Sequence, residues 1–201
     1  MGIANYFTLI RIFIAPLFLF IYLNHSSLGI AETSLPYVLL SLLLASEFSD
    51  AFDGYLARRY NQVTDLGKVL DPMADSIARI SVFMTFTLEP VYLPMMWVFI
   101  LLYRDSVVST LRTICALKGI ALGARLSGKV KAIVQAIAAF IVILLMIPYS
   151  YGMIDQETLH NAGTTTVAVA AIYTLFSGID YIYSNWHYIT RFLLLQEPEK
   201  E

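Results

Sequence analysis

The sequence predicts an all-α polytopic membrane protein, a bundle of six transmembrane helices. Of the 201 residues, 58% are hydrophobic and only 14% are charged, and the mean hydropathy is +0.69. A soluble globular chain usually has about 25% charged residues. Apolar segments close to the ~20 residues that cross about 30 Å of hydrocarbon recur along the chain. The predicted spans are Asn5–Asn24, Leu35–Tyr60, Asp71–Leu88, Tyr92–Leu117, Ser127–Pro148 and Asn161–Tyr183.

The first apolar segment is interpreted as a structural helix rather than a signal peptide. The stretch "MGIANYFTLIR" has no basic region before its apolar run, and no small-residue cleavage site follows cleanly. No repeat, low-complexity run or long linker divides the chain, so residues 1–201 are expected to form one membrane domain. The sequence gives no indication of a nucleic-acid partner.

The distribution of basic residues predicts the orientation in the membrane. The connections "HSSLGIAETS", "EP" and "YSYGMIDQETLH" contain no Lys or Arg, whereas the other connections and the tail contain many. Basic segments stay on the cytoplasmic side by the positive-inside rule. Six spans then place both termini in the cytoplasm of a multi-pass protein in the cytoplasmic membrane.

Four carboxylates are expected to converge at the cytoplasmic ends of the second and third spans. Asp50 and Asp53 are three residues apart, and Asp71 and Asp75 are four apart, so each pair lies on one face of its helix. Clustered carboxylates raise one another's pKa and are costly near lipid unless a cation neutralises them. With no His or Cys nearby, the oxygen ligands favour Mg²⁺ or Mn²⁺.

Small residues and one arginine surround these acids. Gly54 and Ala57 follow Asp53 in the second span, and Gly67 precedes the next pair of acids. Small residues permit close approach of a ligand to the backbone, although helix packing alone also selects them in membranes. Arg58 beside the acids suggests an anionic ligand, most simply a diphosphate bridged by metal ions.

The central segment resembles the signature of the CDP-alcohol phosphotransferase family, DxxDGxxAR followed after eight residues by GxxxDxxxD. Every signature position is present, at Asp50, Asp53, Gly54, Ala57, Arg58, Gly67, Asp71 and Asp75. The resemblance implies a six-span fold, usually a homodimer, that transfers a phosphatidyl or related group from a CDP-linked donor to an alcohol and releases CMP.

The same resemblance implies a role for each signature residue. By this resemblance, Asp50, Asp53 and Asp71 are expected to bind two metal ions, and Asp75 is expected to contact metal and to act as the base on the acceptor hydroxyl. Residues expected to line the CDP pocket are Asp50, Gly54, Ala57, Arg58 and Gly67. Metals that neutralise a diphosphate and a carboxylate that removes a proton suit this reaction.

A second cationic cluster is expected to bind the acceptor. Arg104 and Arg112 are eight residues apart on the fourth span and lie on roughly one face, and Lys129 and Lys131 begin the fifth. Together they are expected to form an anion pocket for an acceptor that has its own phosphate. Asp105 is a candidate partner for one of the arginines.

This cluster, with "NYFTLIR" and "SGIDYIY", resembles the phosphatidylglycerophosphate synthase branch of the family, which implies CDP-diacylglycerol and glycerol 3-phosphate as substrates. Two positions depart from that branch. Ser76 stands where Lys usually follows the last aspartate, and Ala4 stands where Pro usually precedes the N-terminal Asn. Inositol, inositol phosphate or another alcohol therefore stays open as the acceptor.

Several further polar residues have two interpretations. Asn5, Thr8 and Arg11 either order the first helix near the site or anchor it at the interface, and the anchor is favoured. Glu47 is interpreted either as a partner of the acidic cluster or as an exposed residue. Arg125, Lys129 and Lys131 have an alternative interpretation as anchors that touch lipid headgroups, which is favoured more for Arg125 than for the two lysines.

Two functions from other classes compete with the enzyme. Acids within a membrane are a common marker of an ion pathway, so a divalent-cation transporter is one alternative. Transporter sites usually lie near the bilayer midplane, whereas these acids are expected at helix ends beside an arginine. An inactive structural subunit is the other alternative, and the intact signature disfavours it.

Overall fold

Within the described part of the chain, six α-helices form one bundle in the computed structural model. Its backbone is described for residues 3–59, 65–117, 125–187 and 190, and its side chains for residues 11–49, 73–115, 125–187 and 190. The helices are α1 (Ile3–Asn24), α2 (Leu35–Arg59), α3 (Asp65–Thr85), α4 (Met95–Leu117), α5 (Leu126–Ser150) and α6 (Gln156–Ser184). The prediction of an all-α fold with six helices is confirmed.

Four predicted helix ends are wrong by several residues. Helix α6 begins at Gln156 rather than Asn161, and α3 ends at Thr85 rather than Leu88. Helix α3 begins at Asp65 rather than Asp71, because the helix continues through polar residues that precede the apolar segment. Helix α4 begins at Met95 rather than Tyr92. A turn precedes it, in which the Leu93 N–H donates to the Phe86 carbonyl over 2.8 Å. Apolar content therefore located the helices but not their polar ends.

The helices pack in two groups that share a core. Helix α1 packs against α2 and α3, and α6 packs against α5 and α4, while α2–α5, α3–α4 and α3–α5 contacts join the groups. Phe18, Phe83 and Phe86 are buried at the centre, with edge-to-face ring contacts at 6.2 and 6.3 Å. Large buried aromatic side chains of this kind supply much of the packing free energy of a core.

The outer surface of the bundle is apolar. Side chains such as Phe13, Ile133, Phe176 and Ile179 are exposed over more than half of their surface. An extended apolar exterior indicates contact with a membrane or another protein. Within the described chain, α5 and α6 are each long and apolar enough to cross a membrane, and shorter apolar helical stretches span Arg11–Asn24 and Leu35–Ser49. The six-span topology stays a prediction.

Asp155 caps the N-terminus of α6. Its carboxylate accepts a hydrogen bond from the Thr158 N–H over 3.1 Å, which satisfies one of the free donors of the first turn. The hydrogen bonds from Thr158 lower the pKa of Asp155 from its ordinary value of 3.8. A lowered folded-state pKa stabilises the protein at pH values above the unfolded pKa, and this contribution is lost as the pH falls through the folded pKa.

We therefore expect the Asp155→Ala variant to have a lower Tm than the wild type at neutral pH, with the difference shrinking below about pH 4. Asp155→Asn is the matched control, because its amide oxygen still caps the helix but does not titrate. Thermal unfolding in detergent at several pH values measures both. An Asp155→Ala variant with an unchanged Tm at neutral pH would show that the cap contributes nothing.

Candidate active site

The four signature aspartates lie on two described helices. Asp50 and Asp53 are in the last turns of α2, and Asp71 and Asp75 are in α3. The helical backbone gives each pair the spacing that places it on one face. The side chains of Asp50, Asp53 and Asp71 lie outside the described residues, as do those of Ala57 and Arg58 and the surroundings of Gly54 and Gly67. The convergence of the four carboxylates stays a prediction.

Asp75 is the signature aspartate whose side chain is described. Its Oδ1 accepts a hydrogen bond from the guanidinium of Arg11, which is almost fully buried at 1% exposure. A buried arginine that ion-pairs with a carboxylate fixes the orientation of that carboxylate. The interpretation of Arg11 as an interfacial anchor is therefore wrong, and α1 contributes a cation beside Asp75.

A cavity of about 300 Å³ opens beside Asp75 between α3, α4, α5 and α6. Its walls combine carboxylates, cations and hydroxyl groups from all four helices. The charged lining residues are Asp75, Arg79, Arg104, Asp105, Arg112, Arg125, Lys129 and Lys131, and Ser76, Ser109 and Tyr181 add hydroxyl groups. Cations outnumber carboxylates in this list, so the cavity suits an anionic ligand. Arg104, Arg112, Lys129 and Lys131 all line this cavity, and their role in binding an acceptor stays a prediction.

Asp105 joins two of these cations. Arg104 donates to its Oδ1 over 3.0 Å, and the Lys131 ammonium donates to Oδ1 and Oδ2 over 2.8 and 3.0 Å. The sequence predicted a partnership with one arginine, and the structure shows a bridge between an arginine and a lysine. Because Asp105 is buried, its two partners neutralise a charge that would otherwise be costly. Asp105 thus fixes both cations at the cavity wall.

Helix α6 fixes Arg104 from the other side. The Arg104 Nη2 donates to the Ser177 hydroxyl over 2.7 Å. Gly178 lies so close to this side chain that a Cβ added there would be 2.9 Å from the Arg104 Cγ. Only a residue without a side chain fits against the arginine at this distance. The position of Arg104 therefore depends on the stretch "SGIDYIY", whose role the sequence did not reveal.

We expect Gly178→Ala to displace Arg104, because the new methyl group overlaps its aliphatic stem. Overpacking of this kind usually costs about 1–3 kcal/mol. The variant should unfold at a lower temperature and bind anions in the cavity more weakly, as measured by thermal unfolding with and without added phosphate. Gly163→Ala is the matched control, since the nearest atom to its Cβ would be the Val91 Cγ1 at 3.4 Å. Equal losses in the two variants would contradict this account.

The other cations differ in their pairing. Arg125 forms an ion pair with Asp180, with its Nε 3.1 Å from the carboxylate, and Ser127 donates to the same carboxylate over 2.6 Å. Arg125 thus belongs to the cavity wall, which its interpretation as a headgroup anchor did not anticipate. Among the residues with described side chains, Arg112 and Lys129 have no ion-pair partner. Their charges are the ones left for a ligand.

Arg79 connects the cavity to the core. It donates to the Ala132 carbonyl over 3.0 Å and lies 3.7 Å from a carboxylate oxygen of Glu47. Glu47 therefore forms an ion pair with Arg79, a cation that lines the cavity. Neither Arg79 nor Tyr181 was singled out from the sequence, because their positions depend on which helices meet.

The described side chains do not form a metal site by themselves. No group of three or more His, Cys, Asp or Glu residues lies close enough within those side chains to bind a metal ion. Asp75 offers a hard oxygen ligand at the cavity wall, which fits a divalent cation of the Mg²⁺ type. Any metal centre would need the carboxylates of α2 and of the first half of α3 in addition.

The fold and the site define a class: an all-α protein with an apolar exterior and a cationic cavity beside a carboxylate-bearing helix. Residues 1–192 match the CDP-alcohol phosphatidyltransferase family. The chain belongs to this family, whose members use divalent metals in general.

Three curated relatives illustrate the similarity. The chain is 31% identical over 194 residues to the CDP-diacylglycerol–glycerol-3-phosphate 3-phosphatidyltransferase of Bacillus subtilis, covering 92% of this chain and 95% of the relative. The enzyme of the same name from Rickettsia felis is 31% identical, with 90% and 93% coverage. A probable phosphatidylglycerophosphate synthase of Mycobacterium tuberculosis is 29% identical, with 90% and 80% coverage.

Proposed function

We propose that the protein transfers the phosphatidyl group of CDP-diacylglycerol to sn-glycerol 3-phosphate and forms phosphatidylglycerophosphate and CMP. The single observation that carries the proposal is the cationic cavity beside Asp75. It has room for a small phosphorylated alcohol, and it lies next to the carboxylate that the family signature assigns as the base. The names of the curated relatives agree with this substrate pair.

Different residues of the chain have different roles in the proposed reaction. The acceptor oxygen forms a bond to the phosphatidyl phosphorus, the bond from that phosphorus to the CMP oxygen breaks, and Asp75 accepts the proton of the acceptor hydroxyl. Arg11 orients the Asp75 carboxylate. Arg104, Arg112, Lys129 and Lys131 bind the phosphate of the acceptor, so that its hydroxyl lies near Asp75.

The metal site is proposed from the signature. Asp50, Asp53, Asp71 and Asp75 would bind Mg²⁺ or Mn²⁺, with two ions expected, and Gly54, Ala57, Arg58 and Gly67 would line the CDP pocket together with Asp50. Bound divalent ions supply charge neutralisation at the diphosphate. Helices α2 and α3 supply the backbone spacing that this arrangement needs.

The membrane topology belongs to the same proposal. We place six spans in the cytoplasmic membrane, with both termini and the active site on the cytoplasmic side, because the basic residues concentrate there. Membrane lipid would surround the apolar exterior, and the family resemblance suggests a homodimer. Cation transport is disfavoured, because the cavity beside Asp75 is lined by arginines and lysines that repel a cation.

The test is CMP release by purified protein with CDP-diacylglycerol and Mg²⁺ or Mn²⁺. Glycerol 3-phosphate, inositol, inositol phosphate and serine are offered separately as acceptors. Release with glycerol 3-phosphate alone supports the proposal. Release with a different acceptor would keep the reaction class and overturn glycerol 3-phosphate as the acceptor. This outcome is worth testing because Ser76, which stands in place of the usual Lys, lines the cavity. No release with any acceptor overturns the proposed function.

A further inference from the structure

Tyr181 lines the cationic cavity and has a buried hydroxyl group without a partner among the described residues. The residue is 4% exposed, it lines the cavity, and its hydroxyl oxygen makes no hydrogen bond to any described residue. Leaving a buried polar group unpaired costs about 1–3 kcal/mol. The rest of the ring packs against Val108 and Cys115, which fixes its position.

The position of Tyr181 on α6 places it beside the residues that fix Arg104. Ser177 and Gly178 contact the Arg104 side chain, and Tyr181 follows them by four and three residues on the same helix face. Tyr181 therefore lies on the cationic side of the cavity, where an anion would be bound. A neutral O–H donor there can bind a phosphate oxygen, as a charge-assisted hydrogen bond.

We propose that the Tyr181 hydroxyl donates a hydrogen bond to the phosphate group of the acceptor. This inference rests on the proposed function, because it assigns a specificity-determining residue to the acceptor pocket of that reaction. The neutral donor adds a directional contact to the charges of the surrounding cations. It thereby helps the cavity to prefer a phosphorylated acceptor over an unphosphorylated alcohol.

The test compares Tyr181→Phe with Tyr22→Phe. Both tyrosines are buried and have hydroxyl groups without a described partner. Tyr22 lines a separate cavity together with Met146 and Tyr149. By the rise of an α-helix, Met146 lies about 22 Å from Lys131 along α5. Each substitution removes one oxygen atom and no packing surface, so the pair isolates the hydroxyl groups.

We expect Tyr181→Phe to raise the KM for glycerol 3-phosphate about 10- to 100-fold, the usual effect of losing a hydrogen bond to a charged group. The KM for CDP-diacylglycerol should stay within about twofold of the wild-type value. The inhibition constant of inorganic phosphate against glycerol 3-phosphate should rise in parallel. Tyr22→Phe should leave all three constants unchanged.

Protein stability supplies a readout that is independent of turnover. Removing a hydroxyl that has no partner among the described residues should leave the Tm of the substrate-free protein unchanged or slightly raised, while the stabilisation by inorganic phosphate should decrease. A lower Tm without ligand and unchanged phosphate stabilisation would assign Tyr181 a structural role and overturn the inference. Wild-type kinetics in Tyr181→Phe would also overturn it. A wild-type protein that does not use glycerol 3-phosphate would instead overturn the proposed function.

Discussion

Replacing Asp75 with Asn is expected to reduce CMP release by a factor of about 10²–10⁴, the usual contribution of a general base. The amide cannot accept the proton of the acceptor hydroxyl, and it is a weaker ligand for a divalent ion than the carboxylate. Its oxygen can still accept a hydrogen bond from Arg11, so the buried guanidinium keeps a polar partner. The measurement is the initial rate of CMP release at saturating concentrations of both substrates.

The control for this prediction is Asp155→Asn, which removes a carboxylate at the N-terminus of α6 and keeps the helix cap. It should have the wild-type rate. Thermal unfolding of both variants separates a catalytic loss from a folding loss. An Asp75→Asn protein that unfolds like the wild type and retains more than a tenth of its rate would contradict the assignment of Asp75 as the base.

The second large effect is expected at the two cations without a described ion-pair partner. Arg112→Gln should raise the KM for glycerol 3-phosphate about 10- to 100-fold, because a half-buried guanidinium that contacts a phosphate directly contributes strongly. Lys129 is more exposed, so Lys129→Gln should raise the same KM by about tenfold or less. Initial-rate kinetics with varied glycerol 3-phosphate measure both effects.

Conservative variants distinguish charge from packing at these positions. Arg112→Lys keeps the charge and loses the planar guanidinium, so its KM for glycerol 3-phosphate should lie between those of the wild type and Arg112→Gln. Both substitutions should leave the KM for CDP-diacylglycerol nearly unchanged. An equal rise in the KM of both substrates would indicate a general distortion of the site, and this outcome would contradict a specific acceptor contact.

The sequence predicted the six helices because each apolar segment is long and bounded by polar residues. Both ends of α3 and the starts of α4 and α6 were misplaced, since hydropathy does not report where a helix ends relative to its apolar part. Helical spacing also predicted that Arg104 and Arg112 share a face, and both line the cavity. Such regularities within one helix can be read from the order of the residues.

Contacts between helices could not be read in the same way. The burial of Arg11 against Asp75 depends on how α1 packs against α3, and the sequence alone favoured an interfacial position for it. The close approach of Gly178 to Arg104 likewise depends on the packing of α4 against α6. The one signal in the sequence was the run "SGIDYIY", in which Ser177, Gly178 and Tyr181 share a helix face.

A competition between two acceptors tests the central claim most directly. Purified protein is supplied with CDP-diacylglycerol, a divalent metal ion, and equal concentrations of glycerol 3-phosphate and inositol, and the lipid products are identified by mass spectrometry. The cationic cavity beside Asp75 predicts phosphatidylglycerophosphate as the product, with CMP released in equal amount. Phosphatidylinositol as the main product, or no lipid product at all, would contradict the claim.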